Sequence, residues 1–284
     1  MVESAQEKKS ISKRSDKLRK ELPIGVFDSG MGGLTVLRAL RQVLPNESFI
    51  YLGDTARLPY GTKSPETIRQ YAMQMARILV ERNIKALVVA CNTASTAALS
   101  HLQTMLPDMA VIGVIEPGAS AAVKATQNQH IMVLATEATV ASRGYQVLIQ
   151  KALPDAQIQA YPASLLVALA EEGMINNQIA EAVLTHYLSA RKDEDTVLLG
   201  CTHFPVFKVL LKKILPKDVQ LVDSAEATAD AVQHALQKEG LLNTVLSQGS
   251  VHYMVTDLVK RFELIGEVFL GEALNHTCVE LVDV

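Results

Sequence analysis

The sequence predicts an α/β protein built as two pseudosymmetric parallel-sheet domains with a cleft between them. Three observations predict it. From Leu22 onward, short β-rich apolar runs alternate with segments of helical spacing, the pattern of a mostly parallel sheet covered by helices on both faces. The residues that close the runs recur at a near-constant offset: Asp28 and Thr136 lie 108 residues apart, Asp54 and Pro162 108, Cys91 and Cys201 110, Glu116 and Asp223 107. The length of 284 residues, at roughly 100–200 residues per domain, fits two units better than one or three.

The elements follow in order. Residues 1–22 carry seven Lys or Arg and four Asp or Glu, so this stretch is +3 while the rest of the chain is −6. No apolar segment follows the basic residues, so it reads as a solvated, disordered or loosely helical tail, not a secretory signal. The first unit has strands at Ile24–Phe27, Ser48–Leu52, Ala86–Ala90 and Ala110–Ile115. Helical spacing follows the first strand at Leu34, Leu37, Leu40 and Val43/Leu44, and the second at Ile68, Tyr71, Met75, Ile78 and Leu79. The second unit repeats the plan with strands at Ile131–Ala135, Gln157–Tyr161, Thr196–Leu199 and Val219–Val222. A helix over Ala225–Lys238, a strand at His252–Val255, a helix at Leu258–Ile265 and a short strand at Val279–Leu281 start no third copy and should return to the first unit. The division expected is therefore 1–22 tail, 23–116 first part of domain A, 117–223 domain B, and 224–284 the return to domain A. The chain would cross twice, near Glu116-Pro117-Gly118 and near Asp223, and two crossings make a hinge.

Composition narrows the function. With 49% hydrophobic and 20% charged residues, and a net charge of −3, the chain is neither disordered nor a globally basic nucleic-acid binder. Without Trp and with 5% aromatics it is poorly supplied with base-stacking platforms. No run approaches ~20 apolar residues, so no membrane span is expected. Three cysteines are too few for a disulfide scaffold and point to a reducing cytoplasm.

Two of these cysteines stand out. Cys91 follows a buried strand and opens a small-residue helix that Asn92 or Thr93 can cap; Cys201, in Gly200-Cys201-Thr202-His203-Phe204-Pro205, holds the same place in the second unit. A thiol at a helix N-terminus should be biased toward thiolate. Ligands of open α/β sheets lie beyond the carboxyl ends of the strands, so the pair should face each other across the cleft, which makes that cleft the active site. Cys278, in Thr277-Cys278-Val279, has no counterpart and reads as an ordinary buried cysteine. Paired thiols suit three chemistries: a redox disulfide, whose usual local C-x-x-C is absent; a metal site drawn from Cys91, Cys201 and His203, without the tight local pairs zinc favours; or stereochemical inversion at carbon, one group taking a proton from one face while the other returns one to the opposite face. The turn Asp28-Ser29-Gly30-Met31-Gly32-Gly33 is neither a dinucleotide fingerprint nor a P-loop, but suits a carboxylate pocket. Leu58-Pro59-Tyr60-Gly61 can bring Tyr60 to the cleft, and Thr136 and Thr139 can offer hydroxyl and N–H donors.

The segments Phe27-Asp28-Ser29-Gly30-x-Gly32-Gly33-Leu34, Pro59-Tyr60-Gly61, Val89-Ala90-Cys91-Asn92-Thr93-Ala94-Ser95 and Leu199-Gly200-Cys201-Thr202-His203-Phe204-Pro205 resemble the glutamate racemases of the aspartate/glutamate racemase family, in order and spacing, from about Ile24 to the C-terminus. The resemblance implies a cofactor-independent, metal-free, homodimeric, cytoplasmic isomerase that interconverts L- and D-glutamate for peptidoglycan synthesis and so for cell-wall biogenesis and cell shape. It implies Cys91 and Cys201 as acid–base residues, Cys91 acting on the D-enantiomer and Cys201 on the L-enantiomer, assisted by Asp28 and His203. It further implies substrate contacts from Asp28, Ser29, Tyr60, Gly61, Asn92, Thr93, Thr136, Thr139, Thr202 and His203, with Glu171 near the ammonium. Some family members with an N-terminal extension look to be activated by a UDP-linked peptidoglycan precursor, a partner that residues 1–22 bring into view. The chain departs from the pattern at Ala138, where glycine is usual, at Tyr161 and Ala168, where the family has Cys and Pro, and at Ala225 beside the expected hinge. The rival readings are an aspartate racemase, a non-catalytic two-lobed amino-acid-binding protein, and a hydrolase or decarboxylase with one nucleophilic cysteine.

Overall fold

The computed structural model describes residues 18–245, 247–274 and 279–284. Most of the expected tail and Cys278 lie outside them; residues 18–21 form one helical turn.

The first sheet has the order β10-β9-β2-β1-β3-β4 and the second β6-β5-β7-β8, and every pairing in both is parallel. The strands are β1 (Ile24–Asp28), β2 (Phe49–Gly53), β3 (Ala86–Val89), β4 (Ala110–Gly113), β5 (His130–Ala135), β6 (Gln157–Pro162), β7 (Thr196–Gly200), β8 (Gln220–Asp223), β9 (Val251–Val255) and β10 (Val279–Leu281). In each sheet the first strand is flanked by the second and third, and the fourth lies outside the third, so the two copies share one strand order. The return segment extends the first sheet, with β9 pairing to β2 and β10 to β9.

Alternation along the buried strands explains why both faces are covered. In the first sheet Ile24, Val26, Tyr51 and Val88 share a core with Leu34, Leu37 and Leu40 of α1 (Leu34–Val43). Phe27, Leu52 and Val89 point the other way, into α2 (Pro65–Glu81) and α3 (Asn92–Met105). In the second sheet Ile131 and Val133 pack with Ile115 and Ala119 of α4 (Ile115–Ala125), past the short α5 (Glu137–Ser142), and with Tyr145 and Ile149 of α6 (Gly144–Ala152). Met132, Leu134 and Leu199 face α7 (Leu165–Glu171), α8 (Gln178–Leu188) and α9 (Lys208–Ile214). Helix α10 (Ala225–Lys238) packs on α1, and α11 (Val259–Leu270) adds Phe262 and Phe269 to the same core.

Three boundaries differ from the sequence expectation. The fourth strand stops at Gly113 and Ile115 begins α4, so Glu116 lies in a helix and has no equivalence with Asp223 at the end of β8. Cys91 is itself the N-cap of α3, its Sγ accepting from Ala94 N at 3.4 Å, in place of Asn92 or Thr93. Cys201 is followed by a 3-10 turn, Phe204–Phe207, before α9 begins. Pro205 in the first turn brings no N–H, and Cys201 O is taken by Phe204 N at 3.1 Å. Cys201 therefore does not cap α9 as Cys91 caps α3.

At the opposite end of the first sheet Lys85, ahead of β3, is buried against Glu47. Its three donors go to Glu47, to Lys20 O at 2.6 Å and to Leu241 O at 3.0 Å, while Glu47 Oε1 accepts from Asn243 N at 2.8 Å. Removing one partner of such a pair strands a buried charge. Lys85→Met should cost about 3 kcal/mol in denaturant unfolding, and adding Glu47→Leu should recover most of it.

Candidate active site

Two seams between the sheets close on one small cavity. In the first, the β7 loop docks on the glycine turn after β1. Thr35 Oγ1 donates to Thr202 O at 3.1 Å, and Thr202 Oγ1 donates to Asp28 Oδ1 at 3.3 Å. In the second, the hydroxyls of Thr93 and Thr136 are 2.9 Å apart, with Thr139 Oγ1 3.3 Å from Thr93 and 3.0 Å from Thr136. A Cβ on Gly61 would lie 2.7 Å from Thr136 Cβ, so the 3-10 turn Tyr60–Thr62 reaches the second sheet only with glycine there.

The cavity between the seams has a volume of about 20 Å³, room for roughly one water. Ser29, Tyr60, Gly61, Cys91, Asn92, Thr93, Thr136, Glu171, Cys201, Thr202 and His203 line it, together with Leu58, Pro59 and Val167. Of the residues expected from the sequence, Asp28 and Thr139 stand one layer back, each hydrogen-bonded to a lining residue. An amino acid can enter only if the two sheets separate, so this is the closed arrangement.

The two thiols have different surroundings. Cys91 Sγ lies 3.5 Å from Ser29 Oγ. Burial, then the nearby Asp28 carboxylate, push the Cys91 thiol up to about 12, against the lowering hydrogen bonds from Ala94 N and Ser29. This reverses the expectation of a thiolate: one helix N-terminus does not offset full desolvation. Asp28 is also raised, by its burial, although His203, the N–H groups of Gly33 and Gly30, and Thr202 favour its charged form. Cys201 Sγ instead stands 3.9 Å from His203 Nδ1, and His203 Nε2 lies 2.9 Å from Glu171 Oε1. Burial opposes a charge on His203, but hydrogen bonds with Cys201 and Glu171 outweigh it and raise the imidazole to about 10. The His203 ring also packs edge-on against Phe269 of α11.

Three residues that shape the site have no assigned role in the sequence reading, although Asp54, as the residue closing the second strand, was expected at the cleft and stands behind the cavity lining. Asp54, fully buried, accepts from Tyr60 OH, Arg57 Nε at 2.8 Å and Thr256 Oγ1 at 3.0 Å, and so holds the Tyr60 phenol. Its position just beyond β2 was the available signal. Val167 lines the cavity with nothing in the sequence to mark it. Tyr145 OH accepts from Asn92 Nδ2 at 2.7 Å, a contact across 53 residues that no local pattern announces. Among the described residues no group of three or more His, Cys, Asp or Glu is placed to hold a metal ion, and no helix is long and apolar enough to cross a membrane.

The family model for Asp/Glu/hydantoin racemase matches residues 24–232. The chain belongs to this racemase family. It is 46% identical over 254 residues to the glutamate racemase of Geobacter metallireducens, across 89% of this chain and 94% of that one. Among solved structures, glutamate racemase from Francisella tularensis in complex with D-glutamate is similar, with a TM-score of 0.85 and 40% identity over 93% of this chain and 98% of that one. The Escherichia coli glutamate racemase, in complex with L-glutamate and the activator UDP-MurNAc-ala, has a TM-score of 0.76 and 30% identity over 93% of this chain and 99% of that one. The chain is thus an isomerase of the racemase type, and the two parallel-sheet α/β domains expected from the sequence are those of its relatives.

The His203 shift gives a pH signature. A group whose folded pKa lies above its unfolded value of about 6.5 stabilises fully below 6.5 and loses that contribution as pH rises through the folded pKa, here about 10. Unfolding titrations of wild type and His203→Gln at pH 6, 8 and 10 should show a stability gap that narrows toward pH 10. An invariant gap would mean His203 is neutral in the folded racemase.

Proposed function

We propose that this racemase interconverts L- and D-glutamate by a two-base mechanism in which Cys91 and Cys201 work on opposite faces of the α-carbon. The observation that carries it is the pair of cysteines just beyond equivalent strands of two sheets, lining one cavity, with Cys91 Sγ 3.5 Å from Ser29 Oγ and Cys201 Sγ 3.9 Å from His203 Nδ1.

From L-glutamate, Cys201 as thiolate takes the α-proton, and the Cys91 thiol delivers its own proton to the other face. D-Glutamate and a Cys91 thiolate result. The reverse reaction exchanges the roles, and the proton balance between turnovers is restored through His203 on one side and Asp28 on the other. The carbanion is stabilised by donors already aimed into a dry site. Ser29, Thr93, Thr136 and Thr202, with the backbone at Gly61, suit two carboxylates; Thr139 supports Thr136 from one layer behind, and the Tyr60 phenol is spent on Asp54. The buried Asn92 Oδ1 has no partner and can accept from the ammonium. Glu171 acts through its hydrogen bond to His203 more than on the ammonium. No step draws on a cofactor.

In this reading residues 23–116 and 224–284 form one domain, residues 117–223 the other, and the crossings into α4 and α10 are the hinge. The product D-glutamate supplies peptidoglycan synthesis, and with it cell-wall biogenesis and cell shape; the enzyme works in the cytoplasm as a homodimer. The activator in the Escherichia coli relative supports a response to a UDP-linked peptidoglycan precursor. Chiral analysis with each enantiomer of glutamate and of aspartate in D2O, with and without that precursor, tests the reading. Glutamate should turn over in both directions with deuterium gained at Cα of the product. Product that keeps protium throughout would sink the exchangeable-thiol mechanism, and preferential turnover of aspartate would sink the substrate.

A further inference from the structure

We propose that Tyr145 is a positioning residue: its phenol holds the Asn92 amide so that Oδ1 faces the reacting cavity, and ties that orientation to closure of the two domains. Asn92 belongs to the first sheet's site, directly after Cys91, whereas Tyr145 belongs to α6 on the second sheet. Arg143, in the left-handed region with φ 56°, ends α5 and lets α6 start in a new direction, with Tyr145 in its first turn. The fully buried Tyr145 touches three places that define closure. A Cβ on Gly200, the residue before Cys201, would lie 2.9 Å from its ring; one on Gly118, at the first crossing, would lie 3.1 Å from its hydroxyl. Ser224, at the second crossing, meets the same point: the Cβ on Gly118 would also lie 3.0 Å from Ser224 Cβ. The hydroxyl then takes Asn92 Nδ2 at 2.7 Å.

An asparagine amide rotates broadly when free. Fixing Nδ2 fixes the other end, and that end, Oδ1, is buried without a partner on a residue that lines the cavity. Opening at the hinge separates α6 from α3 and frees the amide, so the acceptor is presented only in the closed form.

The inference rests on the proposed role of Asn92 toward the ammonium, and the experiment separates the two. Tyr145→Phe keeps the ring and removes only the hydroxyl. Steady-state kinetics with both glutamate enantiomers are measured for wild type, Tyr145→Phe, Asn92→Ala and the double variant. Tyr145→Phe should lower kcat/KM for both enantiomers by about tenfold or more, the scale of a misplaced binding group. In the Asn92→Ala background the same change should have less than about a twofold effect, because coupled residues do not add. A Tyr145→Phe enzyme with wild-type kcat/KM, or an equal fold-loss in both backgrounds, overturns the positioning role while leaving Asn92 as a substrate contact. Wild-type kcat/KM in Asn92→Ala overturns the reading of Asn92 itself.

Discussion

Cys91→Ala and Cys201→Ala should each leave a folded protein in which racemisation falls by about 10⁴-fold in both directions, the upper range for a positioned proton donor or acceptor. The loss must be bidirectional, because each turnover uses one cysteine as base and the other as acid. Both cysteines are buried, and trimming a thiol to a methyl costs about 1 kcal/mol, so lost stability will not mimic lost catalysis. The half-reactions give a sharper readout. In D2O, Cys91→Ala should still exchange the α-proton of L-glutamate through Cys201 without inverting it, and Cys201→Ala should do the same with D-glutamate. The two variants are distinguished by proton NMR of the recovered substrate. Exchange of the same enantiomer by both would contradict opposite-face placement.

The parts of this site that were legible in the sequence are those that depend on chain order. Buried strands of four to six residues, closing at or just before Asp28, Cys91, Thr136 and Cys201, made the sheets legible, because a parallel sheet covered on both faces needs apolar residues in both phases of the alternation. The shared offset then put both cysteines at equivalent strand ends. The electrostatics were not legible, because they depend on burial and on partners brought together by tertiary packing. The start of α3 was visible, but the desolvation that overrides its dipole at Cys91 comes from packing with residues distant in the chain, such as Phe27, Tyr60 and Met254 of the same core. Glu171 could be suspected near the substrate, yet its hydrogen bond to His203, across 32 residues, needs α7 packed against the 3-10 turn after Cys201. Asp54 and Tyr145 carry the same lesson. Each acts by orienting a residue that touches the cavity, and orientation is a tertiary property.

Gly32→Ala should lower kcat/KM by about 10³-fold with little change in the secondary structure of the isolated lobes. In the closed enzyme a Cβ on Gly32 would sit 2.3 Å from His203 Nδ1, 2.6 Å from His203 Cε1 and 2.6 Å from Thr202 Oγ1, distances no packed pair of atoms tolerates. A flexible surface side chain could swing aside, but neither partner here is free to. His203 is held by Glu171 at 2.9 Å on one nitrogen, faces Cys201 on the other and packs edge-on against Phe269. Thr202 is bonded to both Thr35 and Asp28. The methyl must therefore either displace the imidazole from Cys201 or hold the domains slightly apart. Both outcomes misplace an acid–base group by about an ångström, and misplacement on that scale costs about 10²-fold before water entry adds to it. The alternatives separate by experiment. Displacement of His203 removes the narrowing stability gap expected between pH 6 and 10, whereas an enzyme held open keeps that gap and shows small-angle scattering that no longer contracts on adding glutamate. Wild-type activity in Gly32→Ala would mean that the seam between the β1 turn and the β7 loop is not closed during turnover.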